Sequence, residues 1–333
     1  MAPIKLGILG AGIMGERLLR AALEHAADSV TISGIWDPSE AALARIAALP
    51  VLRAESAAQV IAACDCLYIA SPPATHLAHM QAALDAGKAI FCEKPLAVDV
   101  AAARQFVAAA AGQRAAVNFP MASAFAVDTL KTWIAEGAVG TPRTLDIEIA
   151  FKTWPRPWQF DAASWLDRPE QGGFTREVVS HFLFLTLRLV GAFTLGEHFA
   201  AFPEAGRSER AIRAQLTAGN LPITLTGAVG TTAKDDQNTW TLHGSAGAIR
   251  LRDWSRAERL GPDGSWQPAP DAPPHEAMRP LVLRRQLEGV AAMTRGAAHS
   301  LATLAEALAV QEAVEAILAP DVGKEGLLFV NKK

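Results

Sequence analysis

The residues Gly10-Ala11-Gly12-Ile13-Met14-Gly15 form a G-x-G-x-x-G directly after an apolar run and at the start of a helix-forming stretch. In that context the three glycines have separate tasks: Gly10 permits a tight turn, Gly12 lets backbone approach a pyrophosphate, and Gly15 lets helix and strand pack closely. Ile13 and Met14 begin the helix, whose amide groups and partial positive charge then face the anion. Asp37 stands at the end of the next apolar run, where a carboxylate accepts from the ribose hydroxyls of a dinucleotide. NAD is therefore the expected cofactor. A carboxylate repels a 2′-phosphate, which puts NADP second but keeps it possible, and Arg45 lies too far into the following helix to clamp that phosphate.

Two further groups fall at strand ends. Ser71-Pro72-Pro73-Ala74-Thr75-His76 follows an apolar run and sets a polar turn at the sheet edge where nucleotides bind. Ser71 and Pro72 are read as cofactor contacts, with His76 as a supporting or capping group near them. Glu93-Lys94-Pro95 ends another strand. From the residues alone it reads equally as a solvated charge pair or as a lysine able to hydrogen-bond a reacting oxygen beside the nicotinamide.

These residues need a scaffold, and the first third of the chain supplies its pattern. Apolar runs at 4–9, 30–36, 66–70, 88–92 and 115–119, with a weaker one near Val51, alternate with alanine-rich helical stretches at 13–26, 39–49, 74–86 and 98–111. Such alternation predicts a doubly wound parallel sheet. Beyond about residue 120 the pattern changes to a helix over 128–136 and strand-like runs at 143–151, 211–217, 223–230, 239–243 and 248–251. A Pro-rich surface loop is expected over 261–280, and a closing helix over 299–318. The expected fold is therefore α/β, an N-terminal dinucleotide-binding domain (1–120) followed by an α+β domain (121–333) with a large, mostly antiparallel sheet.

Composition removes several classes. The chain has 333 residues and a net charge of −3 with no dense Lys/Arg run, which argues against nucleic acid as a partner. No apolar run approaches the length of a membrane span, and no signal peptide is visible, so a cytoplasmic protein is expected. Cys64, Cys66 and Cys92 lack zinc or redox spacing, so no metal site is expected. The single tyrosine, Tyr68, has Pro72 four residues on, which excludes a Tyr-x-x-x-Lys dyad.

The glycine turn, the run Ala82-Ala83-Leu84-Asp85-Ala86-Gly87-Lys88 leading to Glu93-Lys94-Pro95-Leu96-Ala97, and Asn118 on the next strand together resemble the glucose-fructose oxidoreductase / inositol dehydrogenase / MocA family. Gly137-Ala138-Val139-Gly140, Gly172-Gly173 and the closing helix follow in that family's order. The resemblance implies NAD(P)-dependent hydride transfer to or from a sugar, cyclitol or related hydroxy or keto compound, and a homodimer or homotetramer formed through the second sheet. It makes Lys94 the catalytic lysine, with Glu93 and Lys94 also beside the cofactor. It places a catalytic pair on the helix after Gly172-Gly173, where Glu177 and His181 stand four apart on one face. His181 is then the general acid/base, a role suited to its ordinary pKa. Glu177 replaces the usual aspartate, and Phe184 stands where a second aspartate is common, which makes a plain polyol less secure as substrate. Lys94, Asn118, Glu177 and His181 are expected to touch substrate, together with Trp154, Arg156 and Trp158 from a cation- and indole-rich segment that also holds Lys152, Trp165 and Arg168. That segment leaves two alternatives open: reduction of an imine or keto group on a carboxylated or aromatic substrate, and a non-catalytic dinucleotide sensor.

Overall fold

The structure is a computed structural model that describes residues 2–320 and 327–329. Its contacts divide the chain into two compact units, Met1–Ser123 with His275–Leu308, and Ala124–Pro274 with Ala309–Lys333. A single division near residue 120 thus differs from these units by one segment, 275–308, which returns to the first.

In the first unit the order is β1 (Ile4–Leu9), α1 (Ile13–His25), β2 (Val30–Trp36), α2 (Glu40–Arg45), α3 (Ala57–Ala63), β3 (Cys66–Ile69), α4 (His76–Asp85), β4 (Ala89–Glu93), α5 (Val100–Ala109) and β5 (Ala115–Asn118). The five strands make one parallel sheet in the order β2-β1-β3-β4-β5. β3 and β4 are buried at every position, which is why they read as continuous apolar runs instead of alternating ones. The expected strand near Val51 is reduced to a single parallel bridge, Ile35 to Arg53, at the sheet edge. Side chains start three helices: Ser39, Ser56 and Asp99 each accept from backbone N–H groups two or three residues on.

The segment that returns to this unit carries α9 (His275–Thr294) and the first residues of α10 (Leu304–Leu318), the rest of which belongs to the second unit. The expected loop over 261–280 therefore ends early, because α9 begins at His275 and carries Pro280 inside it. A proline there removes one intrahelical hydrogen bond, and tertiary packing overrides that cost. Leu287, Val290, Ala291 and Met293 of α9 join Leu18, Leu19 and Ala22 of α1 and Leu6 and Ile8 of β1 in one core. The closing helix starts at Leu304 instead of near residue 299.

In the second unit α6 (Phe125–Ala135) leads into β6 (Pro142–Phe151), then come α7 (Ala163–Leu166) and α8 (Ser180–Val190). The remaining strands are β7 (Phe193–Ala201), β8 (Ala211–Ala218), β9 (Leu221–Val229), β10 (Asp236–Gly244), β11 (Ala248–Arg252), β12 (Arg256–Leu260), β13 (Trp266–Pro268) and β14 (Leu327–Phe329). They form a nine-stranded sheet, β13-β12-β11-β10-β6-β9-β8-β7-β14, antiparallel throughout except for the β6–β9 pair. Burial alternates along β8 and β9, as expected for a sheet with one covered face. α8 lies on that face, where the Trp240 indole N–H of β10 donates to Thr186 Oγ1 at 3.0 Å.

Candidate functional site

The glycine turn has the geometry its residue types call for. Gly10 has φ +101°, and a Cβ on it would meet the backbone of Ala70 and Ser71 within 2.7 Å. A Cβ on Gly15 would fall on the Gly10 carbonyl, whereas one on Gly12 would meet nothing within 4 Å. Gly10 and Gly15 are thus demanded by the fold itself, and open space is left at Gly12, where α1 begins with Ile13 and Met14 and has no side-chain cap. That free helix N-terminus is the cradle a pyrophosphate needs. Asp37 Oδ2 accepts from the Ala11 N–H at 2.7 Å and Oδ1 from the Ser39 N–H at 2.8 Å. A carboxylate offers about four acceptor sites, so a ribose diol can still be held. The residues present fit a bound dinucleotide. Arg45, expected to be out of reach, instead ends the short α2 and donates to the Ala11 carbonyl at 3.1 Å.

The turns after β3 and β4 are joined by one imidazole. His76 is fully buried, with Nδ1 2.7 Å from the Pro95 carbonyl and Nε2 2.8 Å from the Ser71 carbonyl. Burial holds its pKa below the ordinary histidine value, against the pull of the two carbonyls. Ser71 Oγ shares a 2.7 Å hydrogen bond with Thr75 Oγ1, and Pro72 lies exposed beside it.

Glu93 is buried at the end of β4, immediately before the half-buried Lys94. Its Oε1 accepts from Tyr68 Oη at 2.5 Å and from Asn118 Nδ2 at 2.6 Å, and Asn118 Oδ1 in turn accepts from Gln286 Nε2 of α9 at 2.5 Å. Burial and the neighbouring Glu93 charge push the Tyr68 hydroxyl well above its usual pKa, so it stays a donor. Asn118, expected to touch substrate, is 2% exposed and both ends of its amide are engaged inside this chain of hydrogen bonds. Tyr68 and Gln286 carried no sequence signal for this role, since their partners lie 25 and 168 residues away.

In the second unit, the helix that carries Glu177 and His181 does not start as an α-helix. Thr175–Val179 is a π turn, with α8 continuing from Ser180; such turns recur at functional sites. The i, i+4 placement expected for Glu177 and His181 therefore crosses a change of helical pitch. Gly173 enters this turn with φ +98°, and a Cβ there would run into the Glu209 carboxylate, whose Oε1 accepts from the Thr175 N–H at 2.6 Å. Burial pushes the Glu209 pKa up. Arg176 forms a double hydrogen bond with Glu315 and also donates to the Pro169 and Gly172 carbonyls.

His181 is 8% exposed and packs edge-to-face on Trp254, with ring centroids 5.4 Å apart. A run of contacts connects its surroundings to Glu177. Gln159 Nε2 lies 3.5 Å from Glu177 Oε1, Gln159 Oε1 accepts from Arg156 Nε at 2.9 Å, and Arg156 Nη1 donates to Asp236 Oδ2 at 2.7 Å. Three of the expected substrate residues differ in their surroundings. Trp154 is a core residue packed on Phe151 and Phe174. Arg156 is 5% exposed and its charge is neutralised by Asp236. Trp158 stays exposed, its ring stacked 4.7 Å from the Arg156 guanidinium. Phe184 is buried in the core and takes a guanidinium contact from Arg188. Arg168 and the carboxylate of Asp167 are engaged away from this cluster, Arg168 with the Ser164 and Gly206 carbonyls and Asp167 with Arg207, Ser208 and Arg210.

Residues 4–119 match the oxidoreductase family with an NAD-binding Rossmann fold. An inositol 2-dehydrogenase of Saccharopolyspora erythraea is 32% identical over 145 residues, 42% of this chain and 43% of that protein. An inositol 2-dehydrogenase of Klebsiella pneumoniae is 36% identical over 153 residues, 43% and 44% of the two chains. The matches thus span less than half the length of these relatives. The fold likeness covers more: the WlbA dehydrogenase of Bordetella pertussis, solved in complex with NADH and UDP-GlcNAcA, superimposes with a TM-score of 0.77 over 95% of each chain at 20% identity.

Proposed function

We propose that this chain, whose residues 4–119 match the NAD-binding oxidoreductase family, is an enzyme of the Gfo/Idh/MocA kind that transfers a hydride between NAD and a hydroxyl or carbonyl carbon of a sugar, cyclitol or related compound. The observation that carries the reading is the end of β4, where Lys94 follows a Glu93 locked by Tyr68 and Asn118. A lysine held there has a fixed position beside the carboxyl edge of the sheet, where nucleotides bind in such folds. When bound, NAD supplies the hydride acceptor or donor.

In the oxidative direction His181 takes the hydroxyl proton as general base, and the Lys94 ammonium donates to the same oxygen and opposes the charge that builds on it. In reduction the same groups act in reverse: Lys94 polarises the carbonyl and His181 returns the proton. Glu93 and Asn118 anchor the end of β4 from which the chain continues into Lys94. Glu177, half-buried and linked to Gln159, lies in the π turn that leads into the helix carrying His181. The inositol dehydrogenases among the relatives favour a cyclitol or sugar. A carboxylated substrate finds less support, because Arg156, the guanidinium expected to receive it, is already neutralised by Asp236.

The test is NAD reduction and NADH oxidation over a panel of sugars, cyclitols, inosose-like ketones and keto acids. Lys94→Ala and His181→Ala are each expected to lower kcat/KM by about 10²–10⁴, with NAD affinity retained. Wild-type rates in both variants would remove these residues from the mechanism.

A further inference from the structure

Among the described residues, Asp253 and Trp254 are the ones other than glycine with positive φ, at 47° and 72°. They follow β11 and precede β12, in a hairpin closed by the Arg252–Arg256 pair. Turns of this kind select glycine or asparagine, because a Cβ crowds the backbone in the left-handed region, and a bulky aromatic residue is among the poorest choices. The requirements of the turn therefore do not account for a tryptophan at 254. Its side chain must.

The indole is held from two sides. On one it meets His181 edge-to-face at 5.4 Å and Phe182 at 5.4 Å. On the other it is tied to β10: its N–H reaches Asp236 Oδ2 at 3.4 Å, or Asn238 Oδ1 at 3.0 Å when that amide is turned so that its nitrogen faces the Gln237 carbonyl. The turn is pinned to the same strand, with the Asp253 N–H donating to the Asn238 carbonyl at 3.0 Å. Asp236 is also the partner of Arg156, so the strand that anchors Trp254 anchors the Arg156–Gln159 link to Glu177 as well. Strained backbone tends to be retained where the side chain it presents serves a site.

We propose that Trp254 is a positioning residue for His181: the left-handed turn holds an indole against the imidazole and fixes the rotamer in which the ring exchanges its proton. The proposal rests on the reading of His181 as general acid/base.

Two variants and two readouts test it. In protein labelled with ¹³C-histidine, His181→Gln identifies the His181 resonance among those of the eight histidines. The indole ring current is expected to displace that resonance, and Trp254→Leu to return it toward the position of an ordinary histidine. In kinetics with the compound of the panel that turns over fastest, Trp254→Leu is expected to lower kcat about 10-fold or more with KM for NAD changed less than about 2-fold. Trp254→Phe, which keeps an aromatic contact, should stay within about 3-fold of wild type. A merely structural tryptophan would lower the melting midpoint in both variants without the rescue by phenylalanine. Trp254→Leu with unchanged kcat, or a His181 resonance that does not move, overturns the proposal. Full activity in His181→Gln overturns the underlying catalytic reading instead, and a ring-current shift that persists in wild type would show that the fault lies there and not in the contact.

Discussion

Asp37 and Arg45 meet at the same stretch of backbone, one accepting from the Ala11 N–H and the other donating to the Ala11 carbonyl. On the proposed reading, a carboxylate at 37 favours the ribose diol of NAD and repels a 2′-phosphate. Asp37→Ser is therefore expected to raise KM for NAD and to lower the NAD/NADP preference by at least about 10-fold, an effect of about 1.4 kcal/mol; an unmoved KM ratio would place Asp37 away from the ribose. The glycine turn was legible because a local spacing defines it. Arg45 was not, since its reach depends on α2 ending at that residue instead of near residue 49. His76 gives a second prediction. Burial lowers its pKa in the folded protein, so its contribution to stability is complete above the ordinary histidine value of 6.5 and is lost as pH falls through the depressed folded value. His76→Gln should lower the melting midpoint at pH 8, because a flexible amide does not keep the rigid ring's span between the Ser71 and Pro95 carbonyls, yet flatten its decline between about pH 7 and 5. A decline as steep as that of wild type would show that other groups set it.

At the scale of elements, the turn at Gly172-Gly173 into the helix that carries Glu177 and His181 is tightly constrained. Gly172-Gly173 could be read from the sequence as a helix start, but the reason for the second glycine could not, because Glu209 comes from 36 residues further on and closes against it. The same holds for the helix itself. A four-residue spacing of Glu177 and His181 was visible, whereas the π turn that changes their relative rotation arises from tertiary contacts at Thr175 and Arg176. Gly173→Ala should cost about 1–2 kcal/mol for the left-handed backbone alone, and more for the collision with Glu209. We expect a drop of several degrees in the melting midpoint, with activity lost in proportion to the disturbance of His181. Differential scanning calorimetry with matched kinetics would check this; a variant as stable as wild type would show that the turn relaxes without strain. Strands showed the opposite balance. β1 and β2 coincide with their expected bounds because apolar runs of fixed length report burial directly. β12, β13 and β7 went unread, being short, exposed or polar along one face.

At the scale of the molecule, the return of 275–308 to the first unit is what a reading along the chain could not supply. Pro280 and the polar residues around it read as a loop, yet Leu287, Val290, Ala291 and Met293 complete the core over α1 and β1, and Gln286 completes the hydrogen-bond chain that ends on Glu93. Further contacts hold the segment there: Arg284 donates to the His25 carbonyl at 2.6 Å and to Asp28 at 2.7 Å, and the Ala302 carbonyl accepts from the Val117 N–H at 2.9 Å. A fragment ending at residue 123 would leave the apolar face of α1 in water, at about 25 cal/mol per Å² of exposed apolar surface. It would also leave Asn118 Oδ1 without the Gln286 donor that it accepts from. Residues 1–123 alone are therefore expected to unfold without a cooperative transition and to bind NAD weakly. The same fragment joined to 275–308 by a flexible linker should regain a cooperative melt and NAD binding, as read by calorimetry and by titration of the cofactor. Cooperative folding of residues 1–123 by themselves would mean that α9 is an accessory to the nucleotide-binding unit and not part of its core.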